Sequence, residues 1–275
     1  MKNTPYVKVM RLLGLPEKAI ACATGDLPMP SFMADLPYHL YGFPPALIPL
    51  WSNSSGPYYI GYWWLWGSPR TTTIVRSRVE GGYRVNEHAR NLTQLLTIVA
   101  LKKLVADECV SAELEDFANA AGVRDLDELD MIANESGDQL FGLLQRPEFR
   151  EEAPLSCFDD PLAYSGDFPT EYSAVYSEDM RHFAGVEGSR EVAALIAARP
   201  TAPAWFKAVR QRDVFEECMR TGNLSGAWMS LNSPGWEFPE AAVAFTKLAD
   251  RSGDVTLQAI AEAWLSNDHF RFGGY

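Results

Sequence analysis

The sequence predicts an α+β fold: an N-terminal antiparallel meander with helices, followed by a mostly helical C-terminal region. Two observations carry the prediction. Between residues 46 and 78, short runs rich in Trp, Tyr, Ile, Val and Thr are separated by turn-forming residues. From residue 91 onward, apolar residues recur at the spacing of a helix face. At 275 residues, 47% hydrophobic and 22% charged, the chain is long enough for one large domain or two modest ones with a real core.

Residues 6–20 read as a short amphipathic helix, with Val9, Leu12, Leu13 and Ile20 at helical spacing and Gly14-Leu15-Pro16 breaking it. Pro28, Pro30, Pro37, Pro44 and Pro45 exclude a long helix from 28–45. The apolar run 46–51 is a strand, residues 52–57 supply a turn, and the aromatic run 58–66 returns as a second strand. Residues 71–78, rich in Thr, Ile and Val, form a third strand, ended by Gly81-Gly82, giving a meander of three or four strands.

Helices follow. Residues 91–106 place Leu92, Leu95, Leu96, Val99 and Leu104 on one face. Residues 111–121 begin at Ser111, a good N-cap, with Glu113 and Glu115 where the helix dipole favours negative charge. Residues 125–144 read as a third helix, weakened at its end by Gly137 and Gly142, and 145–187 as a long loop. Helical periods then run through 188–275: SREVAALIAAR, APAWFKAVRQRDVFEECMRTG, LSGAWMSLN, FPEAAVAFTKLADRSG and VTLQAIAEAWLSN. The expected organisation is an α+β module over 1–106, an acidic helical and loop segment over 107–187, and a helical region over 188–275.

Charge is segregated along the chain. Residues 1–106 carry 11 Lys and Arg against 5 Asp and Glu, a net +6. Residues 107–191 carry 5 against 22, a net −17, and residues 192–275 carry 8 against 9. The middle third would repel nucleic acid and anionic membranes and attract a basic surface. The N-terminus lacks the pattern of a signal peptide, and the longest apolar stretch, 58–66, is far below the ~20 residues of a membrane helix. A soluble cytoplasmic protein is expected, with no membrane partner.

The motifs of specific chemistry are absent. Cys22, Cys109, Cys157 and Cys218 form no C-x-x-C pair and read as small buried hydrophobes. His39, His88, His182 and His269 read as scattered surface residues, with no H-E-x-x-H spacing. There is no P-loop and no G-x-S-x-G elbow, and Asp125–Asp130 lacks the Gly and the final Glu of a calcium loop. Carboxylate pairs are too many and too alike for one to be singled out as a general acid and base. The aromatics could stack bases beside Arg70, Arg76, Arg78, Arg84 and Arg90, but buried strands carry the same composition. No metal, no cofactor and no direct nucleic-acid contact are expected.

The residues 15-LPE-17, 47-LIPLW-51, 52-SNSSGP-57 and 58-YYIGYWWLW-66 follow one another in an order that resembles the SMI1/KNR4 (SUKH) superfamily: helix, Leu-Pro step, IP-aromatic strand, Gly-containing turn, aromatic strand. The resemblance covers roughly residues 6–106. It implies a binding module and not an enzyme. Many bacterial members are immunity proteins that bind and neutralise a cognate secreted toxin, often a nuclease, such as those delivered by type VI secretion. A nuclease cleft is basic because it holds phosphates, so an acidic inhibitor is steered to it.

The expected partner is therefore a cognate protein toxin with a basic surface, held 1:1. The residues chosen for that interface are Asp125, Asp127, Glu128, Asp130, Glu151, Glu152, Phe158, Asp159, Asp160, Tyr164, Asp167 and Tyr172, with Phe141, Phe149, Phe168 and Tyr176 as further aromatic anchors in the same charged field. The alternatives are a non-catalytic scaffold or regulatory module of the same fold with another basic partner, and an enzyme with dispersed catalytic residues.

Overall fold

The structure is a computed structural model that describes residues 5–30, 42–53, 58–67, 72–79, 84–158, 204, 209–233, 235–266 and 274–275. Four strands, β1 (Leu47–Asn53), β2 (Tyr58–Trp63), β3 (Thr73–Arg78) and β4 (Arg84–Ala89), form an antiparallel sheet in the order β1-β2-β3-β4. This is the predicted meander. Pro49 is tolerated because β1 is an edge strand, where a missing N–H breaks no ladder. The register slips by one residue between Pro49 and Trp51. At the opposite edge a second slip pairs Ile74 with Ala89 but Val75 with Glu87, leaving His88 as the extra residue of a bulge.

Helices cover both faces of the sheet. Tyr59 on β2 packs its ring 5.0 Å from Phe43, which in turn meets Tyr6 of α1 (Tyr6–Leu12). Tyr62, three residues along and so on the other face, lies beside α2 (Glu17–Thr24). Burial, and after it the neighbouring Cys22 thiol, push its hydroxyl above the ordinary range. The single helix expected over 6–20 is two helices. Gly14 at φ 66° and the extended Pro16 turn the chain between them, and Gly25 at φ 75° ends the second.

Helix α3 (Leu92–Asp107) packs on β4 and is covered on its outer side by α4 (Ala112–Ala121) and α5 (Leu126–Ser136). It is enclosed on nearly every side: Thr97, Ile98, Ala100 and Leu101 are buried together with the face expected from the spacing. Ser111 caps α4, its hydroxyl accepting from the Leu114 amide. The expected helix over 125–144 ends at Ser136, and a 3-10 turn over Leu140–Gln145 follows. The expected loop from 145 also starts in regular structure, with α6 (Pro147–Arg150) and a 3-10 turn at Leu155–Cys157.

In the C-terminal region, α7 (Gln211–Thr221), α8 (Leu224–Leu231), α9 (Phe238–Ser252) and α10 (Val255–Leu265) bear out the helical periods. Helix α7 begins at Gln211, later than the period suggested, and the segment SREVAALIAAR lies outside the described residues. These helices share one hydrophobic core with the sheet. Indole N–H groups tie the two halves: Trp264 donates to the Phe43 carbonyl at 2.8 Å, Trp228 to the Trp64 carbonyl at 3.1 Å, and Trp66 to Asp254 at 3.1 Å. Asn232 adds a fourth tie, accepting from the Ala46 amide. Trp264 and Trp228 bury their rings fully and Trp66 in part, and each satisfies its one donor on the opposite half.

Three of the four cysteines, Cys22, Cys157 and Cys218, are buried as expected, whereas Cys109 is exposed beyond the end of α3. His88, the extra residue of the β4 bulge, is also buried, against the expectation of a surface residue. The other three histidines lie outside the described residues. No described helix is long and apolar enough to cross a membrane.

Gly61 marks the tightest point of the sheet: a Cβ there would sit 2.4 Å from the Ile48 carbonyl oxygen and 2.9 Å from the Pro49 Cα. Both are backbone atoms and cannot swing aside. Gly61→Ala is expected to lose about 1–3 kcal/mol of stability, the usual cost of overpacking, read as a lowered denaturation midpoint with unchanged m.

Candidate functional site

The acidic surface is carried by the helices outside α3. Among the described residues of 107–158, the carboxylates of Glu108, Glu113, Glu115, Asp116, Asp125, Asp127, Glu135, Asp138, Glu151 and Glu152 are on exposed residues. Exposed basic residues in that stretch are Arg124 and Arg150. Val110, Met131 and Phe141 are the exposed large apolar side chains in this field, the most exposed being Met131 of α5 at 59% and Phe141, in the 3-10 turn packed against α5, at 46%. Exposed apolar side chains in a predominantly acidic field are thus gathered on one stretch of the chain.

Two buried arginines hold the surface in place. Arg146, 2% exposed, is the hub of one network. Its guanidinium donates to Glu128 at 3.0 Å, to Glu148 at 2.8 Å and to the Arg124 carbonyl at 3.0 Å. It thereby joins the start of α5 to α6. Burial opposes the charge on Glu148, but the Arg146 hydrogen bond, a backbone amide, the Arg146 charge and the Thr97 hydroxyl outweigh it and hold the carboxyl below its ordinary range. Arg90 is the hub of the other network, donating to buried Glu87 at 3.1 Å and to Glu152 at 2.8 Å. Glu87 also accepts from the Thr73 hydroxyl and the Leu155 amide.

Gln94 completes the seam. Its side-chain oxygen accepts from the Arg90 amide at 2.7 Å, and its NH2 donates to the Glu148 and Glu152 carbonyls at 2.8 and 2.7 Å. All of its principal hydrogen-bonding capacity is used in clamping residues 146–152 to α3. This is why the expected loop is ordered here.

The residues chosen from the sequence divide accordingly. Asp127 and Glu151 are exposed. Asp125 is exposed and takes φ 55° at the turn before α5. Asp130 is half-buried and accepts from Asn134. Glu128 and Glu152 still reach solvent, yet each is tied to a buried arginine, so their first role is to hold the surface. Phe158 is packed partly against the core. Phe149, counted among the anchors, is a fully buried residue of α6 and belongs to the core. Asp159, Asp160, Tyr164, Asp167, Phe168, Tyr172 and Tyr176 lie outside the described residues.

The sequence reading missed Met131, Arg146 and Gln94, and named Arg90 only beside the aromatic strands, not as the partner of Glu87 and Glu152. Arg146 left a signal: with Arg150 it is one of two basic residues in 125–152, and a lone cation among carboxylates is a natural hub. Gln94 left none. Among the described residues, no group of three or more His, Cys, Asp or Glu could hold a metal ion. Compared with known protein families, curated proteins and solved structures, the chain matches none.

Arg146→Met is expected to lose about 2–4 kcal/mol, somewhat less than a fully buried pair because Glu128 is partly solvated. Denaturant titration checks the size. The pH dependence checks the cause. Glu148, with its folded value depressed, contributes stability that is complete above the ordinary 4.5 and is lost as pH falls through the depressed value. The gap between wild type and variant should therefore narrow on acidification below 4.5.

Proposed function

We propose that the protein is a binding module whose acidic surface on α4, α5 and the adjoining 3-10 turn captures a basic protein partner. The observation that carries this reading is the pairing of exposed Met131 and Phe141 with a field of exposed carboxylates on a rigidly held ledge. Exposed apolar anchors supply affinity at the centre of an interface, while the surrounding charge steers encounter and rejects wrong partners. The buried Arg146 and Arg90 networks favour a surface that is preorganised, which lowers the entropy lost on binding.

The SMI1/KNR4-like order of residues 6–106 suggests the partner's class. In this reading the protein is an immunity protein, and the partner is a cognate secreted toxin, best a nuclease, whose basic cleft is occluded in a 1:1 complex. The runner-up is a scaffold of the same fold that binds other basic partners. It draws on the same surface and differs in having weaker binding to several targets.

The test is co-expression with the product of the adjacent gene, followed by size exclusion and a toxicity assay. A stoichiometric complex that abolishes toxicity supports the immunity reading; a harmless or unbound neighbour removes it. Within such a complex, Asp127→Lys with Asp130→Lys should slow association, and the wild-type rate should fall steeply with salt. Phe141→Ala should instead speed dissociation, costing about 2 kcal/mol or more if the ring is an anchor. Unchanged neutralisation by both variants would move the interface off this ledge.

A further inference from the structure

Away from the ledge, side chains of α7 and α9 line a half-open cavity of about 240 Å³. Its floor is carbon. Trp236 is buried, and its one polar side-chain atom is spent on the Ser230 carbonyl at 2.9 Å. Phe215 backs the indole edge-on, with ring centres 5.7 Å apart. The backbone of Trp236 is fixed as well, donating to the Tyr275 carbonyl at 3.0 Å and accepting from the Tyr275 amide at 2.9 Å. Pro239, Val243 and Ala244 of α9 continue the apolar lining. Val243 is 72% exposed, the most of any large apolar side chain among the described residues.

Two ion pairs bridge the helices across this cavity, Arg212 with Glu240 at 2.8 Å and Lys247 with Glu216, and all four side chains line it. The pairs stand one turn apart on α7 and about two turns apart on α9. All four side chains are partly exposed, so neither pair adds much to stability. What they provide is a rim of two cations and two carboxylates whose charges cancel, on a chain of net charge −12. The two pairs differ in one respect. Arg212 and Glu240 stand in the first turns of α7 and α9, and neither helix has a side-chain cap at its N-terminus. The positive ends of two helix dipoles meet there, which favours an added carboxylate.

We propose that this cavity binds a free aromatic α-amino acid in its zwitterionic form. A lone ligand anion at Arg212 would also face Glu240, and a lone cation at Glu240 would also face Arg212. A zwitterion meets both: its carboxylate sets against Arg212 and its ammonium against Glu240, so that four charges alternate in sign through charge-assisted hydrogen bonds. The side chain then lies on the Trp236 floor, covered by Val243 and the apolar stem of Lys247. The volume suits one ring. About 240 Å³ exceeds the roughly 150 Å³ of an apolar cavity that takes benzene, and falls short of the roughly 300 Å³ at which pockets for larger ligands begin. The site is built from other helices than the acidic ledge and is independent of the partner proposed for it.

The experiment is an NMR titration of the full chain at neutral pH and matched ionic strength, following the assigned indole N–H of Trp236. The probes are L-phenylalanine, glycine, phenethylamine, 3-phenylpropanoate and N-acetylphenylalanine amide. Phenylalanine should move the Trp236 resonance saturably. Glycine, which lacks the ring, and the other three, which lack one or both charges, should each bind at least tenfold more weakly, the size expected for losing the apolar contact or a charge-assisted hydrogen bond. Arg212→Gln should weaken phenylalanine at least tenfold and erase its advantage over phenethylamine, because the carboxylate has lost its partner. An unmoved Trp236 resonance with phenylalanine would overturn the site. Phenethylamine, 3-phenylpropanoate or the capped amide matching phenylalanine would overturn the zwitterion, and glycine matching it would overturn the role of the floor. Undiminished binding by Arg212→Gln would overturn the assignment to this cavity. Should that variant fail to fold, the probe series on the wild-type protein decides alone.

Discussion

Burying a polar group without a partner costs more than most single contacts return, and the seams of this molecule are organised around that constraint. The C-terminal helices could pack on the sheet through apolar area alone. Their position is set by single donors: the Trp264 and Trp228 indoles, each aimed at one backbone carbonyl on the sheet side. Shifting either helix by one turn would strand a buried N–H. The same constraint places the acidic ledge, where the guanidinium of Arg146 and the amide of Gln94 have their partners on α5, α6 and the chain between.

Charge segregation acts at two levels in this fold. Within the ledge, carboxylates heavily outnumber cations: Arg146 is drawn inward as a hub, and the remaining carboxylates are left on the surface with Arg124 and Arg150. Glu128 and Glu152 belong to both groups, holding the ledge and adding to its field. Cations of the basic first third are drawn to the same carboxylates: Arg90 is consumed in the seam, and Lys103 of α3 pairs with Asp107 and Glu113.

Much of the fold was legible in the sequence. The meander was marked by Trp- and Tyr-rich runs around turn residues, α4 by Ser111 with the acidic first turn after it, and α7–α10 by their periods. The ledge was legible as composition, since Asp127 and Glu151 are exposed as chosen. What misled was local: Phe149 looks like a surface anchor beside Glu148, Glu151 and Glu152, yet α6 turns it into the core. The segment after 145 lacks periodicity because its order comes from side-chain bonds, made by Arg146 at its own start and by Arg90 and Gln94, which lie 54 to 62 residues away in sequence.

By itself the sequence determined the order of elements and the sign of each region's charge, because periodicity, turn chemistry and composition are properties of short stretches. Only the tertiary structure decided which polar side chains are partners across long separations. Gln94 meets the Glu148 carbonyl 54 residues away, and Trp264 meets the Phe43 carbonyl 221 residues away. Such bonds have no pattern along the chain. They exist because packing brings one donor and one acceptor to a place that water cannot reach.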